Sequence, residues 1–274
     1  MPTTQGAAPK HEWLPAQRTV PNAHSPFAAE LYNQINQART NPIQYATEME
    51  KDDDLDLHLA LGRIKFDFQW RRDRALKAAT ILRNAAEFEL WDESKQNFRP
   101  PLLCICSGIT KACLDHILDV RKRDVSKNSN VDPHIGSDQS TPEDRMDRYG
   151  DCSGRGAEIL LFKPSPKRKS DGTPMVVDVV KEVRHVMRQL IEDNERRTML
   201  FDPSWQYAGI ASGPHAFLGS TVCIVFCDEF DANPYAPFVP QKVKTRVFGN
   251  GWMVCFVSTE PIDLNITLPA CTLM

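Results

Sequence analysis

No stretch of the 274-residue chain approaches the roughly 20 consecutive apolar residues that cross a bilayer as a helix, so no membrane span is expected. The opening 25 residues also lack the apolar core of a secretory leader; Pro2, Pro9, Pro15 and Pro21 punctuate them instead. The formal net charge is only -3, which leaves no global basic field to attract nucleic acid or an anionic membrane surface. A Gly-x-Ser-x-Gly nucleophile elbow is missing. The acidic triplet Asp52-Asp53-Asp54 lacks the glycine and distal glutamate of an EF-hand loop, so it reads as a solvated loop. Zinc-finger spacing is missing too, because Cys104 and Cys106 have no second pair and no histidine at finger spacing. Without a leader, an even count of eight cysteines is not a disulfide framework, and buried reduced thiols are expected. No internal repeat is found.

What is present is enough to build a core. Hydrophobic residues make up 41% and charged residues 25% of the chain, which suits one domain of about 200 residues with tails. Residues 1–24 read as an extended, Pro-spaced tail with isolated Trp13, Leu14 and Val20, able to order on a partner. Ser25-Pro26 starts a helix with Phe27, Leu31, Ile35 and Ala38 on one face, and Asn41-Pro42 restarts it with Ile43, Ala46 and Met49. A second helix is expected from Trp70 to Trp91, with Leu76, Ala79, Leu82, Ala86 and Leu90 inward and Arg71, Arg72 and Arg74 outward. A third is expected over Leu102–Val120, carrying Cys104, Cys106 and Cys113, with His116 packing or hydrogen bonding. Thr173-Pro174 caps a fourth, with Val176, Val180, Val183, Met187, Leu190 and Ile191 as its stripe. Strands follow at Gln206–Ala211 and Ser220–Phe230, the latter with Cys223 and Cys227 on one face, and then within Lys242–Val257 around a Gly249-Asn250-Gly251 turn.

The most informative stretch runs from His134 to Phe162. His134 opens it in a Gly/Ser/Asp-rich loop, Arg145 and Arg148 occupy a short amphipathic turn, and Glu158 begins an apolar run. Loops on either side of a short helix bring such a His and Glu into one cleft. The stretch resembles the central signature of the CAP superfamily (cysteine-rich secretory protein, antigen 5, pathogenesis-related 1; the SCP-like domain) in its bacterial and protist branch. Further motifs in the same order resemble that branch: Leu31-Tyr32-Asn33 through Arg39-Thr40-Asn41-Pro42, the helix around Lys111–Asp119, and the run from Val179 to Phe226.

The resemblance implies an α+β fold, an α-β-α sandwich over residues 25–231. To this are added the tail at 1–24 and a strand-containing C-terminal extension at 232–274, for which the family offers no counterpart. In many relatives the cleft holds two His and two Glu that bind a divalent metal. Here His134 and Glu158 match the first His and first Glu, whereas Glu195 falls in an Asn194–Arg197 run where the branch has its second His. His215 matches a histidine common before the last strand and is expected to approach the cleft. Ala157-Glu158-Ile159 lacks the Asn of the family's Gly-Glu-Asn, and Ser137-Asp138-Gln139-Ser140 has lost a glycine that permits positive φ. We therefore expect no metal and no other cofactor, with His134 and Glu158 as a hydrogen-bonded couple that organises the cleft. Lys163, Lys167, Arg168 and Lys169 form a local basic cluster, expected to be a surface loop.

Two functions follow from this reading. The first is a non-enzymatic, cytoplasmic CAP-domain protein that binds other proteins through its N-terminal tail and surface loops, as part of a large assembly such as a cytoskeletal or ciliary (flagellar) structure. The second is a metal-assisted hydrolase, or a lipid or sterol binder, that uses the His134/Glu158 cleft.

Overall fold

The computed structural model describes residues 25–51, 65–125, 132–163, 178–233, 235–236, 242–247 and 253–258. Side chains are described for these, apart from residues 65–72, 242–247 and 253–258. Helix α1 (Pro26–Thr40) begins where the Ser25 hydroxyl accepts from Ala28 N and Pro26 fills the first turn. Asn41 ends α1 and caps α2 (Pro42–Glu50) by accepting from Gln44 N. Pro42 forces the restart because it has no N–H to continue α1. Ile43, expected inside, is half-exposed in the first turn of α2, while Ala46 and Met49 are buried.

Helix α3 (Lys65–Phe88) is longer at its start and shorter at its end than expected, since Trp91 belongs to a small hairpin of β1 (Trp91–Asp92) and β2 (Asn97–Phe98). Ala79, Leu82, Ala86 and Leu90 are buried, but Leu76 is not. Arg74 is half-buried and paired with Glu192; the side chains of Arg71 and Arg72 lie outside the described residues.

The expected helix over Leu102–Val120 divides in two. Residues Cys104–Ile105 form strand β3, and helix α4 (Ser107–Val120) begins only after Cys106. The N–H groups of Cys104 and Cys106 donate to the carbonyls of Gln206 and Ala208, so ladder bonds from a distant strand override the local helical pattern. Cys104 is therefore exposed on a strand, and only Cys113 of the three thiols lies within the helix.

Three longer strands complete the main sheet: β5 (Gly156–Lys163), β6 (Tyr207–His215) and β7 (Gly219–Cys227), in the order β3-β6-β7-β5. β6 and β5 flank β7 antiparallel, and β3 joins β6 parallel. Strand alternation sorts the two faces. Ile159, Leu161, Ala208, Ile210, Val222, Ile224 and Phe226 meet α1, α2, α3 and two further helices, α6 (Val179–Glu192) and α7 (Asn194–Phe201). Leu160, Ala211, Cys223, Val225 and Cys227 face α4 and the short α5 (Pro142–Asp147). The result is the expected α+β fold, a sheet between two helical layers.

In α6 the cap is Asp178, which accepts from Val180 and Lys181 N; Thr173, Pro174 and Val176 lie outside the described residues. Val183, Met187, Leu190 and Ile191 are buried, whereas Val180 sits in the exposed first turn. Bridge β4 (Gly150–Asp151) with β8 (Asp231–Ala232) carries the packed unit past the expected boundary at 231. Ala236 is buried in the second core, and Lys111 Nζ donates to its carbonyl at 2.8 Å. Further on, β9 (Lys242–Val247) and β10 (Met253–Ser258) pair antiparallel with Val247 opposite Met253; residues 249–251 lie outside the described set. Among the described residues no helix is long and apolar enough to cross a membrane.

Candidate functional site

Glu158 is the third residue of β5, and the alternation that sends Ile159 to one core sends Glu158 toward α4 and α5. Its side chain is 1% exposed and fully engaged. His134 Nδ1 lies 3.0 Å from Oε1, and Arg145 Nη2 donates to Oε2 at 2.8 Å. The Cys223 thiol donates to Oε2 at 3.5 Å, and His116 Nε2 stands 3.4 Å from Oε1.

Each partner arrives on an element whose local sequence explains its position. Arg145 sits on α5, whose start is a capping box of Thr141 and Asp144 behind Pro142. Besides Glu158, Arg145 donates to the carbonyls of Ser140 and His134, and so ties the carboxylate to the loop that carries the histidine. That loop is pinned from outside: Asp132 accepts from His134 N, Asp119 accepts from Ser137 N, and Arg148 bridges Asp115 and Asp138. Gln139 holds φ at 70°, so the position where the family resemblance implied a glycine keeps the left-handed conformation without one.

The two histidines differ. His116 is fully buried on α4, and burial, opposed by Glu158, lowers its pKa to about 4. It is neutral at pH 7, and the 2.9 Å contact of its Nε2 with the Pro133 carbonyl identifies Nε2 as the protonated nitrogen. Its approach to Glu158 is thus not an ion pair. His134 keeps 42% of its side chain exposed, and the hydrogen bond to Glu158, which outweighs burial, raises its pKa. Burial alone would raise the pKa of Glu158, but the His134 hydrogen bond and the Arg145 charge hold it below the usual carboxylate range.

The sequence-predicted residues divide accordingly. His134 and Glu158 do pair. Glu195, expected in the cleft, is exposed on α7, on the opposite side of the sheet, because α7 buries Leu200 and Phe201 in the other core. His215 faces the same side as Glu158 but pairs with Gly219, six residues along β7 from the Val225 that opposes Glu158. That separation is about 20 Å along the strand. There His215 Nδ1 accepts from Phe217 and Leu218 N, and its ring meets Phe162 edge-on at 5.3 Å, so it closes the β6–β7 turn. Lys163 is not in a surface loop: it ends β5, is 8% exposed, bonds Glu182 at 2.6 Å and lies 3.9 Å over the Phe27 ring. Lys167, Arg168 and Lys169 lie outside the described residues.

Arg145, His116 and Cys223 are members of the cluster that sequence reading did not assign to it. His116 had a usable signal, since it continues the inward stripe of Ile109, Ala112 and Cys113 at helical spacing. The donor set does not suit a metal. A cation at Glu158 would stand beside the Arg145 guanidinium, and His116 Nε2 is committed to a carbonyl. Among the described residues no group of three or more His, Cys, Asp or Glu is arranged to hold a metal ion. A groove of about 430 Å³ opens nearby between Asp147, Arg148, Asp151, Asp231 and Asn233, and neither His134 nor Glu158 lines it.

No family model and no curated protein matches the chain. Two solved structures show similarity. An outer surface protein from Borrelia burgdorferi aligns at 13% identity and a TM-score of 0.34, covering 57% of this chain and 94% of its own. An extracellular protein containing an SCP domain, from Bacillus anthracis, aligns at 12% identity and a TM-score of 0.31, covering 61% of this chain and 45% of its own. Scores this low do not assign a family.

Proposed function

We propose that the chain is a non-enzymatic CAP-like protein that works by binding other proteins, as a fixed part of a larger intracellular assembly such as a cytoskeletal or ciliary structure. The observation that carries this reading is the saturation of Glu158. Arg145, His134 and Cys223 occupy the oxygens of a carboxylate whose side chain is 1% exposed, which leaves no free carboxylate for metal or proton transfer. A cluster of that kind braces a scaffold, and recognition falls to the surface and to the tail at residues 1–24. The free thiols among the described cysteines suit a reducing compartment.

Detergent extraction of the cells that make the protein tests the proposal. Recovery in the insoluble pellet, release only by high salt or denaturant, and loss of pelleting on deletion of residues 1–24 are expected. Quantitative recovery as a small soluble species would overturn it. The competing hydrolase reading requires zinc that co-purifies with the protein and an activity abolished by His134→Ala.

A further inference from the structure

Two pairs of thiols meet in the fold: Cys113 with Cys223, both fully buried, and Cys152 with Cys227, of which Cys152 is partly exposed. Cys152 lies in the loop between β4 and β5, half-buried, its N–H held by Asp147 at the end of α5. Cys227 is the last residue of β7 and is buried. Their sulfurs are 3.5 Å apart across 75 residues of chain. A disulfide needs about 2.0 Å, so forming the bond brings the two sulfurs closer by about 1.5 Å. Cys104, at the same end of the sheet, pairs with Tyr207, which separates it from Cys227 in the ladder.

We propose that Cys152 and Cys227 form a reversible disulfide when the protein meets an oxidising small-molecule disulfide such as oxidised glutathione. The Cys152 thiolate attacks one glutathione sulfur, forming a mixed disulfide and expelling one glutathione thiolate. The Cys227 thiolate then attacks the Cys152 sulfur and expels the second. The protein dithiol loses two electrons and two protons, and the oxidised glutathione becomes two reduced molecules. Cys152 makes the first attack because it is the more accessible thiol. Burial, reinforced by Cys227, pushes the Cys152 thiol up to about 12, and burial raises Cys227 as well, so both stay protonated at neutral pH and exchange is slow. The bond staples the end of β7 to the loop behind α5, the helix that carries Arg145, and thereby locks the frame of the Glu158 cluster.

The test uses the purified full-length chain, equilibrated in oxidised or reduced glutathione and mapped by mass spectrometry without reduction. A linked Cys152–Cys227 peptide is expected, with a Tm about 5–10 °C above that of the reduced chain. The rate of bond formation should rise about tenfold per pH unit between about pH 7 and 9. Cys152→Ser, a change in a half-buried loop residue, should fold, match the reduced Tm and no longer respond to oxidation, while Cys104→Ser should keep the full response. Oxidation that leaves glutathione resident on Cys152, that links Cys152 to a cysteine other than Cys227, or that leaves Tm unchanged would overturn the proposal.

Discussion

Arg145 and Glu158 form a charged pair with almost no solvent access, 2% and 1% exposed at their side chains. Removing one partner of such a pair leaves the other charge stranded. Arg145→Met should therefore destabilise the fold by about 3–5 kcal/mol in urea unfolding, and pairing it with Glu158→Gln should recover a large part of the loss. A result in which the single change costs no more than a surface substitution would show that the pair does not brace the site. The titrations of this cluster have definite signs. Glu158 has a depressed pKa when folded, so its contribution is present above its unfolded value and is lost as pH falls through the folded one. His116 behaves alike: between about pH 6.5 and 4 the unfolded chain takes up its proton first and stability falls. His134 runs the other way. Its folded pKa is raised, so its stabilisation is full below about pH 6.5 and disappears as pH rises through the folded value. The stability gap between wild type and His134→Asn should accordingly shrink from pH 6 to pH 9, and it should be small, because the ring is 42% exposed.

At the scale of elements, the turn before α5 and the seat of α4 carry the geometry. Gln139 holds a left-handed conformation that costs an L-residue about 1–2 kcal/mol. Gln139→Gly should relieve part of this and raise stability by roughly 0.5–1 kcal/mol, read as a higher Tm with the pelleting behaviour unchanged. A lower Tm would mean that the Gln139 side chain contributes more than its backbone costs. Gly209 on β6 is the opposite case. A Cβ there would meet the backbone of Ile109 at 2.4 Å and of Thr110 at 2.5 Å, so α4 sits directly on the strand. Gly209→Ala must lift α4, and with it His116, at a cost of about 1–3 kcal/mol or more in chemical denaturation. The contrast shows how far the sequence could be read at this scale. The loss of glycine at position 139 was visible in the motif, whereas nothing local to Gly209 announces a helix on top of it.

Across the whole molecule, Arg39 joins pieces that are far apart in the chain. It is fully buried on α1 and donates to the carbonyls of Pro101, Leu200, Asp202 and Trp205. Burial lowers its pKa to about 10, against the pull of Asp202, so it stays charged at neutral pH and supplies donors to carbonyls that would otherwise have none of these bonds. Lysine has neither the reach nor the forked donors to serve four acceptors. Arg39→Lys should cost about 2–4 kcal/mol, measured as a lower urea midpoint at unchanged slope.

What the sequence alone determined was local. The starts of α1 and α2 at Ser25-Pro26 and Asn41-Pro42 and the two-residue alternation of β7 were legible, because caps and periods are written within a few residues, and the pairing of His134 with Glu158, 24 residues apart, was legible only through the family motif that spans both. Tertiary structure alone decided the rest. Cys104 became a strand residue because a carbonyl on the approach to β6 was there to take its N–H, and Lys163 went inside because Glu182 and the Phe27 ring received it. Glu195 was carried to the far side of the sheet by the burial of Leu200 and Phe201. Glu158 acquired Arg145 from 13 residues away and Cys223 from 65. Partners at such distances are selected by packing and by the need to satisfy buried charge, and neither is encoded in the neighbouring residues.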